Sequence, residues 1–174
     1  MKIAITGKMC SGKSTVAQIL SEEDERFKIL SFGRKVKEVA QDLFDMRDKN
    51  RTLLVTIGTK MREIDPDVWT KYVIKQTKGL THCIIDDLRY QNEYESLVKE
   101  GFKIIYLDID PEIQENRIKI NYPNNYEDHL KNRGHSSEQS IFNWLEGNNP
   151  LIIDSGKISI HQIIRKIREF CNEE

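Results

Sequence analysis

The chain has 174 residues, with 27 Lys plus Arg against 28 Asp plus Glu and a formal net charge of −1. That length suits one compact domain, long enough to bury roughly 70% of its unfolded surface without disulfide or structural-metal support. Near-neutral charge argues against a protein that coats nucleic acid, no apolar run reaches the roughly 18 residues of a membrane span, and Cys10, Cys83 and Cys171 form neither a disulfide framework nor a zinc pattern.

In chain order, residues 2–6 are a short apolar run ending at a glycine-containing loop, which predicts a first strand. A strand so close to the start leaves no room for a signal peptide, and a cytoplasmic location is expected. Residues 11–20 follow as a helix with Val16, Ile19 and Leu20 on one face. Residues 27–32 predict a second strand, and residues 35–44 a helix carrying Val36, Val39, Ala40 and Leu43 at helical spacing. Two more helices are expected over 52–64 and 67–78, divided by Asp65-Pro66. Residues 82–88 suit a buried strand, and 92–100 a helix stopped by Gly101. A strand over 102–109 precedes a Pro-initiated helix from Pro111 to about Lys119.

Residues 121–134 are polar and turn-rich, the one stretch resembling a mobile lid. Ser136 with Gln139 gives a capping-box start for a helix running to about Glu146. Residues 151–154 predict a last strand. Ile160, Ile163, Ile164, Ile167 and Phe170 stripe a final amphipathic helix, which can pack internally or across a homodimer. Five short strands alternating with helices predict an α/β fold: a three-layer, five-stranded parallel sheet covered on both faces. Ligands of such sheets sit beyond the carboxyl ends of the strands.

The chemistry starts in the first loop. Gly7-Lys8-Met9-Cys10-Ser11-Gly12-Lys13-Ser14 fits G-x-x-x-x-G-K-[ST], placed between a strand and a helix, with Thr15 following. Its glycines let backbone N–H groups cradle phosphates. Lys13 supplies a point charge to the outer phosphates, and Ser14 offers a hydroxyl to Mg²⁺. This is a nucleoside triphosphate site, so ATP and Mg²⁺ are the expected ligands. Asp86 and Asp87 end an apolar strand, where a metal-water carboxylate belongs; adjacent strand residues point to opposite faces, so one of the two serves the site. A phosphotransferase also needs cations to hold an acceptor and neutralise the transferring group. Arg34 and Lys37, Arg62, and Arg89 come from three separate segments near the predicted carboxyl edge.

Taken in order, GKMCSGKST, SFGRKVKEVA, IGTKMREIDPDVW, IIDDLRYQNE and HSSEQS resemble the deoxynucleoside monophosphate kinases of phages and large DNA viruses, with phosphomevalonate kinase as a relative. The resemblance spans about residues 2–155. It implies a nucleoside monophosphate kinase type of P-loop fold within a single domain, with acceptor-binding helices over about 33–78 and the lid over 121–134. It further implies that Lys37 and Arg62 bind the acceptor phosphate, that Asp87 takes the carboxylate role of an Asp-x-Arg motif and reaches the metal, and that Arg89 binds phosphate beside it. Glu93 would anchor Arg89 or the helix start. Trp69 would lie near the acceptor pocket, although its spacing with Tyr72 and Val73 equally suits the core.

Two segments depart from the family pattern. Gly33-Arg34-Lys35-Val36-Lys37 replaces Ala-x-Pro-Leu-Lys, so that Lys35 competes with Lys37 for one phosphate. Asp154-Ser155-Gly156 replaces Asn-x-Gly on the adenine side. Among the later cations Arg117, Lys119, Lys131 and Arg133, the last is the lid candidate. The expected partner is a small deoxynucleoside monophosphate rather than nucleic acid or membrane, in the host cytoplasm if the source is viral. Two other readings stay open: a P-loop kinase of another small phosphorylated metabolite, such as phosphomevalonate, and a nucleotide-binding regulatory module without catalysis.

Overall fold

A computed structural model describes residues 1–48, 50–124, 126–131, 145 and 149–172. Its elements are β1 (Lys2–Gly7), α1 (Lys13–Glu23), β2 (Lys28–Leu30), α2 (Phe32–Phe44), α3 (Arg51–Ile64), α4 (Val68–Thr77) and β3 (Cys83–Leu88). After these come α5 (Gln91–Lys99), β4 (Lys103–Asp108), α6 (Pro111–Asn121), α7 (Tyr126–Lys131), β5 (Leu151–Asp154) and α8 (Ile160–Asn172). The five strands form one sheet in the order β2-β3-β1-β4-β5, and every pairing is parallel.

Side chains alternate across a strand with period two, and here both faces are covered, which explains why the strands read as continuous apolar runs. Ala4, Ile85, Ile104 and Tyr106 join Val36, Ala40, Trp69, Val73 and Leu97 on one face. Ile3, Ile5, Ile84, Ile105 and Leu107 join Val16, Ala17, Leu20, Ile163, Ile164 and Ile167 on the other. The isoleucine stripe of α8 is therefore packed within its own chain. Among the described residues, no helix is long and apolar enough to cross a membrane.

The second strand is shorter than expected, and α2 starts earlier, at Phe32 instead of residue 35. The cause is a long-range cap. The Asp87 carboxylate, arriving from β3, accepts from Phe32 N at 2.9 Å, Gly33 N at 2.8 Å and Ser31 Oγ at 2.7 Å. It satisfies N–H groups that would otherwise be orphaned at a helix start, so residues 32–34 wind into helix.

Register places the second irregularity. Ala4 pairs with Ile85 and Thr6 with Leu88, so Asp86 and Asp87 together oppose Ile5. This is a β-bulge, which breaks the strict alternation of the strand and re-aims the side chains at the point where pairing ends. Thr6 Oγ1 closes it by donating to Leu88 O at 2.8 Å. Of the expected lid, α7 covers Tyr126–Lys131; Arg133 and the Ser136–Gln139 capping box lie outside the described residues.

Candidate nucleotide-binding site

The phosphate loop leaves β1 through a glycine that nothing larger can replace. Gly7 has φ +143°, and a Cβ there would lie 2.3 Å from Leu107 O and 2.9 Å from Ser11 Oγ. Gly12 has φ +96° and Cys10, unusually for a side-chain-bearing residue, φ +62°. The loop then enters α1, whose N-terminus has no side-chain cap and no acidic residue in its first turn. An uncapped N-terminus with a lysine in its first turn is a ready anion site. Lys13 Nζ donates at 2.7 Å to both Gly7 O and Lys8 O, which holds the ammonium against the loop it serves. Lys8, Met9 and Ser11 complete the loop, and Thr15 lines a cavity beside it.

The bulged aspartates divide their work. Asp86 Oδ2 accepts from Ser14 Oγ at 2.8 Å, while Asp87 is occupied by the start of α2. The carboxylate facing the Ser14 hydroxyl is thus Asp86, whereas Asp87, expected on the metal side, is turned to the start of α2. Burial raises the Asp86 carboxyl above its ordinary range, with neighbouring Asp87 adding to the effect and the Ser14 bond and Lys13 opposing it. A hydroxyl and a carboxylate at this spacing suit a hard cation such as Mg²⁺. Among the described residues, no group of three or more His, Cys, Asp or Glu is placed to hold a metal; the cation would complete its shell from phosphate and water oxygens.

On the other side of β3 the structure brings Arg62 to Tyr90 and Glu93. The guanidinium carbon of Arg62 lies 4.3 Å from the Tyr90 ring centroid, and Nη2 lies 3.9 Å from Glu93 Oε1. Arg89 N and Tyr90 N donate to Glu93 Oε2 at 3.0 and 3.1 Å. Lys37 is exposed on α2, and its rival Lys35 is paired with Glu38 at 3.1 Å. Arg34 Nη2 donates to Ile29 O at 2.7 Å, which ties it to the backbone of β2.

Trp69 departs from the acceptor-pocket expectation. It is 4% exposed within the core, and its indole N–H donates to Gly58 O at 3.2 Å, pinning α4 to α3. A side chain so enclosed cannot stack on a ligand.

A residue left unranked in the sequence occupies the opposite flank. Arg117 Nη2 donates to Ser155 O at 2.8 Å and Nη1 to Cys10 O at 3.3 Å. One turn earlier, Gln114 Nε2 donates to Met9 O at 3.0 Å. Ser155 N and Oγ both donate to Asp108 O at 2.8 Å, so the departure at 154–156 still makes a fixed corner. A cavity of about 280 Å³ opens here, lined by Cys10, Thr15, Arg117, Asn121, Ser155 and Ile160. The available signal was the spacing Gln114, Arg117, Asn121, which places all three on one face of α6.

A five-stranded parallel sheet in this order, with a glycine loop feeding Lys13 and Ser14 into a helix, defines a P-loop nucleotide-binding domain of kinase-like architecture. Residues 3–139 match the AAA domain family, and the chain belongs to that family. In fold it is similar to the crystal structure of an uncharacterized protein from Eubacterium ventriosum, at 17% identity and TM-score 0.67, covering 100% of this chain and 99% of that one. It is similar also to shikimate kinase from Aquifex aeolicus, at 17% identity and TM-score 0.56, covering 98% and 96%. No curated protein matches it in sequence.

Proposed function

We propose that this protein is an ATP-dependent phosphotransferase that converts a deoxynucleoside monophosphate to its diphosphate, a step of nucleotide biosynthesis. One observation carries the reading: the groups assigned to donor and acceptor stand on the two sides of the β3 bulge, Asp86 against Ser14 and Asp87 against the helix that bears Lys37. The sequence resemblance supplies the acceptor class. The fold likeness to a kinase is compatible with it.

In this reaction an acceptor phosphate oxygen attacks the γ-phosphorus in line, and the bond from that phosphorus to the β–γ bridging oxygen breaks, leaving ADP. Lys13, released from Gly7 O and Lys8 O, follows the β- and γ-phosphates. Arg62, Arg89 and Lys37 hold the acceptor and the transferring group, with Arg133 as the lid cation. Bound Mg²⁺ supplies charge neutralisation across the phosphate oxygens; Ser14 and Asp86 would hold it. The cavity beside Arg117 takes the base of ATP.

Arg62→Ala is expected to raise KM for the monophosphate by about 100-fold, or about 3 kcal/mol, with KM for ATP unchanged. Arg117→Ala is expected to do the reverse, raising KM for ATP by about tenfold and sparing the acceptor. Both are read by coupled ADP production with deoxy- and ribonucleoside monophosphates. With Trp69 buried, its ring offers no stacking surface for a flat base, so the panel includes phosphomevalonate and shikimate. ADP formation with either of those alone reassigns the acceptor, and ATP binding without turnover of any acceptor favours a regulatory module.

A further inference from the structure

The geometry points to Glu93 as the positioning residue that sets Arg62 and Arg89 relative to one another, a role that rests on the acceptor reading above. Glu93 is 2% exposed, and its two oxygens face different elements. Oε2 accepts from the backbone N–H groups of Arg89 and Tyr90 at 3.0 and 3.1 Å, which fixes where Arg89 leaves β3. Oε1 faces Nη2 of Arg62, which comes from α3, at 3.9 Å. Two arginines from distant segments are thereby referred to one buried carboxylate.

Arg62 sits in a socket with three walls. The Tyr90 ring lies under its guanidinium, with 4.3 Å from centroid to Cζ. Glu93 stands at one end. Gly58 lies one turn earlier on α3, where a Cβ would come within 3.3 Å of Arg62 Nη1. At 3.9 Å the Glu93 oxygen is beyond hydrogen-bond range, so it orients the guanidinium without using up its donors. The Arg62 side chain remains 28% exposed, which leaves an edge for a phosphate. A helix cap alone does not call for burial this deep. Burial pushes the Glu93 carboxyl up to about 7, with Asp87 adding to the effect and the two backbone N–H groups and Arg62 opposing it.

Glu93→Gln separates the two tasks. The amide oxygen keeps the backbone bonds, while the charge facing Arg62 is gone. KM for the monophosphate is expected to rise about tenfold, with kcat and KM for ATP within about twofold of wild type. The double variant Arg62→Ala/Glu93→Gln should have the KM of Arg62→Ala alone, because a residue acting through Arg62 adds nothing once Arg62 is absent. An unchanged KM in Glu93→Gln, or additive effects in the double variant, overturns the positioning role. Should Glu93→Gln not fold, Tyr90→Leu keeps the cap and removes one wall; it should raise the same KM, and Tyr90→Phe should restore it. An equal KM in all three proteins overturns the socket.

A second readout needs no acceptor. The guanidinium resonances of Arg62, assigned by their loss in Arg62→Lys, should shift and broaden in Glu93→Gln relative to the wild-type protein. Identical resonances overturn the inference even if no monophosphate is ever phosphorylated, an outcome that would sink the acceptor reading by itself.

Discussion

Lys13→Ala is expected to lower turnover at saturating ATP by at least about 10³-fold, equivalent to about 4 kcal/mol of transition-state stabilisation, while leaving the melting temperature within a few degrees of wild type. The two effects separate because the ammonium has different partners before and during the reaction. In the structure it donates to Gly7 O and Lys8 O. Lys8 is partly exposed and Gly7 ends the buried run of β1, and by the usual net worth of a hydrogen bond the loss at their carbonyls costs about 1 kcal/mol. During transfer the same ammonium would face charge spreading over the phosphoryl oxygens, and α1 carries no other Lys or Arg to stand in its place. Lys13→Arg should not rescue: the larger planar guanidinium, with donors fixed in a fork, cannot follow a phosphate as a compact ammonium does. The test is steady-state turnover together with binding of a non-hydrolysable ATP analogue and a melting curve. Near-normal turnover in a folded Lys13→Ala protein would refute the assignment of the loop to phosphate transfer.

The phosphate loop was legible in the sequence because its chemistry is local. Gly7, Gly12, Lys13 and Ser14 do their work within one strand–loop–helix unit, and a spacing rule captures it. The fold class was legible for a similar reason, since doubly covered strands leave apolar runs separated by helical periods. What could not be read depended on contacts between distant segments. Period-two alternation implied that only one of Asp86 and Asp87 serves the site, but the bulge opposite Ile5 is a property of pairing between β1 and β3 and leaves no local mark. The start of α2 has no local signal because its cap, Asp87, lies 55 residues beyond Phe32. Arg117 is one cation among several in the sequence, and only the packing of α6 against the loop at Met9 and Cys10 distinguishes it. For Trp69, helical spacing and a functional motif predicted different surroundings, and packing against Gly58 decided for the core.

Asp86 and Asp87 should therefore fail in opposite ways. Asp86→Asn is expected to lower turnover by about 10²- to 10³-fold and to raise the Mg²⁺ concentration needed for half-maximal rate, since a charged oxygen ligand is exchanged for a neutral amide. Its stability should hardly fall. Burial already disfavours the charge on Asp86, and the amide oxygen still accepts from Ser14. Asp87→Ala removes three hydrogen bonds at once from the start of α2. By the usual worth of a helix cap and of bonds to a carboxylate, it should cost about 3 kcal/mol, a fall of roughly 6–12 °C in melting temperature for a chain of this size. Its kinetic effect should appear in KM for the acceptor, because α2 carries Lys37, and not in KM for ATP. Gly33 makes the fit exacting: a Cβ there would lie 3.2 Å from Asp87 Oδ2, so the carboxylate approaches the helix start more closely than a bulkier residue would easily allow. The decisive comparison is of both variants in one buffer, by melting curves and by titration with Mg²⁺. If Asp87→Ala abolished the metal response at unchanged melting temperature, and Asp86→Asn were silent, the roles would be reversed and the bulge would be a feature of packing alone.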